Sequence, residues 1–175
     1  MCSNLWIYDT DPSNLYRFSL GCSGRKPLVC FGVNPSTATP EKLDPTIKSV
    51  KRIASFYGYD GWIMFNLYPQ RSTNPDNLDL EADKVACEKN LEMIKLILRK
   101  YEVNEIWAAW GTLISKRSYL VDCLYEIYSE IGDYNWITFG ETSKKGHPHH
   151  PLYLKTNSEK KEFDILSYIA KLREI

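Results

Sequence analysis

Short apolar runs alternate with longer stretches whose apolar residues recur at helical spacing. Leu28–Val33 and Gly61–Leu67 are continuous apolar runs bounded by turn formers, the pattern of strands buried on both faces. Val103–Trp110, closed by Gly111, and Tyr134–Phe139 repeat it. Leu15–Leu20 alternates Tyr16, Phe18 and Leu20 with other residues, which predicts an edge strand after an irregular lead-in over 1–14. The first helix begins at Asp44-Pro45-Thr46, where a carboxylate can cap free amides and proline takes the first helical position. Ile47, Val50, Ile53, Ala54 and Tyr57 carry it to about Gly58. A second helix is predicted over about 80–101, with Ala82, Val85, Ala86, Ile94 and Ile97 inward. A third covers about 112–131, with Leu113, Leu120, Leu124, Ile127 and Ile131 on its apolar side. After a long polar loop, Gly140–Leu154, a last helix carries Phe163, Leu166, Ile169 and Leu172. Such alternation implies parallel strands, crossover connections and helices on both faces. The expected fold is α/β, a single domain over 1–175. It is a three-layer α/β/α sandwich with a central, mainly parallel four-stranded sheet plus an N-terminal edge strand.

In a parallel sheet the carboxyl ends of the strands share one edge, where ligands bind. Asn34, Asn66 and Trp110-Gly111 each end a core strand, and His150 lies in the loop after the fourth. Pro35 fixes its own φ and holds Asn34 extended, so the amide is presented in a defined direction. A polar residue at one strand end needs no function, because loops begin there. Amides at two ends and Gly146-His147-Pro148-His149-His150-Pro151 at a third point instead to a shared crevice. Asp44 reads as a helix cap before it reads as a catalytic group. Trp110 at a strand end fits packing, and Arg71 fits a surface or structural ion pair.

Composition narrows the function classes. Lys plus Arg equals Asp plus Glu at 22 each, which argues against strong non-specific nucleic-acid binding. Apolar content of 43% with 25% charge excludes a disordered chain. The cysteines are scattered without a C-x-x-C, and no secretion signal or apolar membrane-spanning run is present, so reduced thiols and a cytoplasmic location are expected. The three histidines match no zinc spacing, and no metal or cofactor is expected. Lys144-Lys145 beside them favours an anionic partner over a cation. No P-loop or G-x-G-x-x-G occurs.

Several motifs carry a resemblance. Asn34-Pro35-Ser36-Thr37-Ala38, Asp44-Pro45-Thr46-Ile47, Asn66-Leu67-Tyr68-Pro69-Gln70-Arg71, Ala109-Trp110-Gly111 and Gly146-His147-Pro148-His149-His150-Pro151-Leu152-Tyr153 resemble an uncharacterised domain-of-unknown-function family. The match runs over roughly 15–155. Leu43 stands where that family commonly has a second Asp, and Ser72 where it commonly has Ala. The family in turn is similar to the uracil-DNA glycosylase superfamily. Gly32-Val33-Asn34-Pro35 resembles its water-positioning turn, Asn66 its base-reading amide, and His150-Pro151-Leu152 its last motif, with His147-Pro148 a second possible register. Ser36 stands where the superfamily has Gly or Tyr, and only Cys87 lies near an iron–sulfur ligand position, so no cluster is expected.

The resemblance implies a flipped-base pocket in an N-glycosidic bond hydrolase acting on DNA or a modified nucleotide, in repair or modification. Asn34 and His150 would be catalytic. Asn34 would orient water, while His150 and backbone amides near Ser36 would stabilise the departing base. Asn66 would read a pyrimidine amide edge. Leu152 or Tyr153 would be the wedge, Arg71 and Lys145 the phosphate contacts, and Trp110 and His147 further substrate contacts. The competing expectations are a small-molecule nucleoside or nucleotide enzyme and a non-catalytic nucleotide or nucleic-acid binder on the same scaffold.

Overall fold

The computed structural model describes residues 5–174. In chain order the elements are β1 (Trp6–Thr10), β2 (Arg17–Cys22), β3 (Leu28–Gly32), α1 (Pro45–Phe56), β4 (Trp62–Asn66), α2 (Lys84–Leu98), β5 (Glu105–Ala108), α3 (Tyr119–Ile131), β6 (Asn135–Phe139), β7 (Lys160–Glu162) and α4 (Ile165–Arg173). Seven strands form one mixed sheet in the order β1-β2-β4-β3-β5-β6-β7. The four expected core strands are its parallel centre. The flanking strands, the expected β2 and the additional β1 and β7, pair antiparallel.

The α/β class therefore stands, with a larger and mixed sheet. The stretch expected to be the edge, now β2, is buried throughout because β1 covers it. The lead-in thus contains a strand; its residues 1–4 lie outside the described residues. The region 112–131 divides into a 3-10 turn over Gly111–Lys116 and α3. Val85, expected to face inward, is 75% exposed, and Leu166 of the last helix is 62% exposed. Cys30, Cys87 and Cys123 are free thiols. Cys22 is disulfide-bonded, so the expectation of reduced thiols fails there.

Each core strand feeds two apolar clusters through its alternation. Leu28, Cys30, Trp62 and Met64 pack with Ile47, Val50 and Ile53 of α1. Val29, Phe31, Ile63 and Phe65 pack with residues of α2, α3 and α4. The chain thus leaves β3 for one face and β4 for the other, and a crevice opens between loops that diverge in this way. Asp44 fixes the start of α1, its Oδ1 accepting the Ile47 amide at 2.9 Å with Pro45 in the first turn. Among the described residues no helix is long and apolar enough to cross a membrane.

Candidate functional site

A cavity of about 350 Å³ occupies that crevice. Asn34, Asn66 and His150, far apart in sequence, all line it, as do Ser36, Leu152 and Tyr153.

Asn34 is held by its own amide. Its Nδ2 donates to the carbonyls of Pro35 and Ser72 at 3.0 Å and of Gln70 at 3.3 Å. These bonds tie the turn after β3 to the loop after β4. They also fix which way the carboxamide faces, leaving Oδ1 without a partner among the described residues.

Asn66 is the opposite case. It is 2% exposed, and neither Nδ2 nor Oδ1 has a partner among the described residues. Its backbone is anchored, since Asn90 Nδ2 donates to its carbonyl at 2.9 Å. The side chain lies against Gly32, where an added Cβ would come within 2.9 Å of Asn66 Oδ1 and 2.7 Å of Met64 Cε. Glycine there is a matter of space for the amide.

His150 sits in the cavity wall, its loop passing close to Gly111. That glycine has φ +62°, and a Cβ on it would meet His150 Cβ at 3.3 Å. Nδ1 of His150 accepts the Leu152 N–H at 3.2 Å, which puts the proton of the neutral ring on Nε2. Burial lowers the His150 pKa, with Asp44 opposing the shift, so a neutral imidazole with a free N–H donor is favoured. Leu152 and Tyr153 are exposed at the cavity rim.

Four other expected site residues fall elsewhere. Trp110 is fully buried in the core and donates to Tyr168 Oη at 3.0 Å. His147, 4% exposed, bonds the same hydroxyl through Nδ1 at 2.8 Å and lines a neighbouring cavity of about 290 Å³. Burial, and then Lys145, lower its pKa. Lys145 itself is exposed and lines neither cavity. Arg71 acts as a staple: Nη1 donates to the Ser36 carbonyl at 2.6 Å, Nη2 to Tyr8 Oη at 2.7 Å and Nε to Asn14 Oδ1 at 3.1 Å.

Two residues enter the site that sequence reasoning placed elsewhere. Asp44 lines the cavity as well as capping α1, and only its Oδ1 is used by the cap. Arg17 lines it too, though only 2% exposed. The β1–β2 register slips between Asp9↔Ser19 and Thr10↔Arg17, leaving Phe18 as the extra residue of a bulge that re-aims the start of β2. Burial, and then the nearby Arg71, push the Arg17 pKa down to about 10, which still leaves it cationic at neutral pH. A charged residue in the middle of a strand pattern was the available signal, since arginine is rarely buried without a partner. Among the described residues no group of His, Cys, Asp and Glu could hold a metal ion.

Fold and crevice together define an α/β protein with a polar, ligand-sized pocket at the carboxyl ends of its parallel strands. The family model described as "Protein of unknown function (DUF1643)" matches residues 17–152, and the chain belongs to that family. The matched span holds every residue of the cavity lining except Tyr153. No curated protein and no solved structure matches the chain. The likeness to the uracil-DNA glycosylase superfamily rests on the sequence motifs alone.

Proposed function

We propose that this cavity is a nucleobase pocket and that the chain hydrolyses an N-glycosidic bond, on a base in DNA or on a modified nucleotide, with a uracil-DNA glycosylase-like fold. The observation that carries the reading is the Asn66 carboxamide. A buried amide left with donor and acceptor both open costs about 1–3 kcal/mol. A pyrimidine amide edge supplies one acceptor and one donor side by side and would satisfy both. A site built this way rejects bases that leave its groups unpaired.

The remaining groups suit the chemistry. Bond cleavage puts positive charge on the sugar and negative charge on the departing base. A neutral His150, which lines the cavity, would offer Nε2–H as a donor to the base, a contribution of about 3 kcal/mol in comparable sites. Asn34, held by its three carbonyl contacts, offers a fixed acceptor to orient water. Asp44 supplies the negative charge that Asn34 lacks, as a base for that water and a counter-charge to the sugar. Leu152 and Tyr153 at the rim suit a wedge beside a flipped nucleotide.

A small-molecule nucleotide enzyme is the second reading, favoured by the buried Arg17 in the cavity and the balanced net charge. The test is incubation of the purified protein with duplex and single-stranded DNA carrying uracil and other altered bases, and with free nucleosides and nucleotides. Abasic sites and released base are scored. The wild type is expected to release base, and Asn34→Ala to lose about 10²-fold or more of the rate. If no substrate yields free base, the hydrolase reading is wrong, and saturable binding without release would make the chain a binding protein.

A further inference from the structure

Arg17 is the one strongly polar group in the cavity for which a base pocket has no use. Its guanidinium carries five N–H donors, and one bond from it, Nη1 to the Ala38 carbonyl at 3.2 Å, is present among the described residues. Nε is buried without a partner. No carboxylate pairs with Arg17: Asp44 lines the same cavity, but no ion pair forms between them among the described residues. Arg71 adds a second positive charge nearby. Asp44 opposes it as a nearby negative charge without a direct bond among the described residues, and a guanidinium this deeply buried with donors left open is ordinarily paired directly. The hydroxyls of Ser36, Thr46 and Thr73 line the same cavity and make no side-chain hydrogen bond among the described residues. A buried guanidinium sharing a cavity with such hydroxyls suits the acceptor-rich, multiply charged surface of a phosphate.

We propose that Arg17 forms a phosphate subsite inside the cavity and that the ligand is a free nucleotide whose terminal phosphate docks there. The nucleoside half of that ligand rests on the base-pocket reading; the phosphate half rests on Arg17 and the hydroxyls. Depth favours a free nucleotide over a polymer. A backbone phosphodiester is tethered on both sides, whereas the terminal group of a small molecule can reach a residue with 2% of its surface exposed.

The experiment is calorimetric titration of the full chain with a pyrimidine nucleoside, its 5′-monophosphate, inorganic phosphate and a single-stranded oligonucleotide. The monophosphate is expected to bind about ten- to hundredfold more tightly than the nucleoside, the range of a charged hydrogen bond. Arg17→Gln should erase that difference and Arg17→Lys should keep part of it. Should Arg17→Gln fail to fold, wild-type competition decides: inorganic phosphate must weaken monophosphate binding and leave nucleoside binding unchanged. Equal affinity for nucleoside and monophosphate overturns the subsite and leaves the base pocket standing. Arg17-dependent binding of inorganic phosphate without nucleoside recognition overturns the base pocket and leaves the subsite. Preference for the oligonucleotide over the monophosphate overturns the free-nucleotide assignment, and no binding by any probe overturns both halves.

Discussion

The cavities on either side of His150 share that residue, Leu113 and Tyr153, yet their polar atoms are in opposite states. On the His147 side Trp110, Tyr168 and His147 are joined by hydrogen bonds. The Trp110 indole can only donate, so Tyr168 Oη accepts from it and keeps its own proton for His147 Nδ1. The backbone N–H of His147 donates to Ser143 Oγ at 3.1 Å. This relay runs from the core to the loop over 140–154 and holds the loop in place. On the Asn66 side the carboxamide and the guanidinium of Arg17 are buried with donors and acceptors to spare. Paired networks specify structure, whereas buried polar groups without partners call for a ligand or for water. Under the proposed function this difference gives the chemistry to His150 and leaves His147 as scaffolding.

Exchanging the two histidines tests that assignment with the largest expected effect. His150→Ala should lower the rate of base release about 10²–10³-fold with little change in stability. His147→Ala should do the reverse, costing about 1–3 kcal/mol of stability by orphaning the Tyr168 hydroxyl, with the rate per folded molecule nearly kept. Thermal melts alongside single-turnover assays separate the two, and a folded His147→Ala protein without activity would invert the comparison. Next in size is Asp44→Asn. Asparagine caps a helix as well as aspartate, so stability should hold within about 0.5 kcal/mol. The cavity loses its carboxylate, and base release should fall about 10²-fold. Unchanged turnover would return Asp44 to a purely capping role.

The third test sets one side against the other by the sign of its effect on stability. Tyr168→Phe strips the acceptor from the Trp110 indole and the partner from His147, and should destabilise by about 1–3 kcal/mol. Asn66→Leu removes a buried amide that has no partner, and should stabilise the ligand-free protein by a similar amount. For a chain of this size each kcal/mol moves Tm by about 2–4 °C. The Asn66 variant should at the same time lose ligand binding. A lower Tm for Asn66→Leu would mean that this amide is satisfied after all, and the contrast would disappear.

Much of this geometry was legible in the sequence. The four parallel strands and the meeting of Asn34, Asn66 and His150 followed from apolar runs ending in polar turns. A parallel sheet leaves no other place for those ends to go. The flanking strands were hidden for definite reasons. Trp6–Thr10 runs into Asp11-Pro12, which reads as a loop, and Lys160–Glu162 is a charged edge held by backbone pairing and by ion pairs such as Lys160–Glu105, with no apolar face to advertise it. Arg17 was hidden by a bulge, which changes where a side chain points without changing composition. Arg71 and Trp110 carried motifs whose residue types suit ligands equally well. Only their bonds to Ser36, Tyr8 and Tyr168 show them spent on structure.

The smallest expected effect is the pH dependence, and it reads both histidines at once. Each has its pKa lowered, chiefly by burial, so the folded chain binds fewer protons than the unfolded one below the ordinary histidine value of about 6.5. Stability from both groups is therefore complete above that value and is lost as pH falls through the folded pKa values. Proton NMR titration of the imidazole signals, assigned with His147→Asn and His150→Asn variants, should show both titrating below the ordinary range in the free protein. Saturation with a bound base or nucleotide should then shift the His150 titration and leave that of His147 in place, because His150 lines the Asn66 cavity whereas His147 does not and is bonded to Tyr168. A ligand that moved His147 instead would bind on the paired side, and unsatisfied polar atoms would no longer mark the functional one.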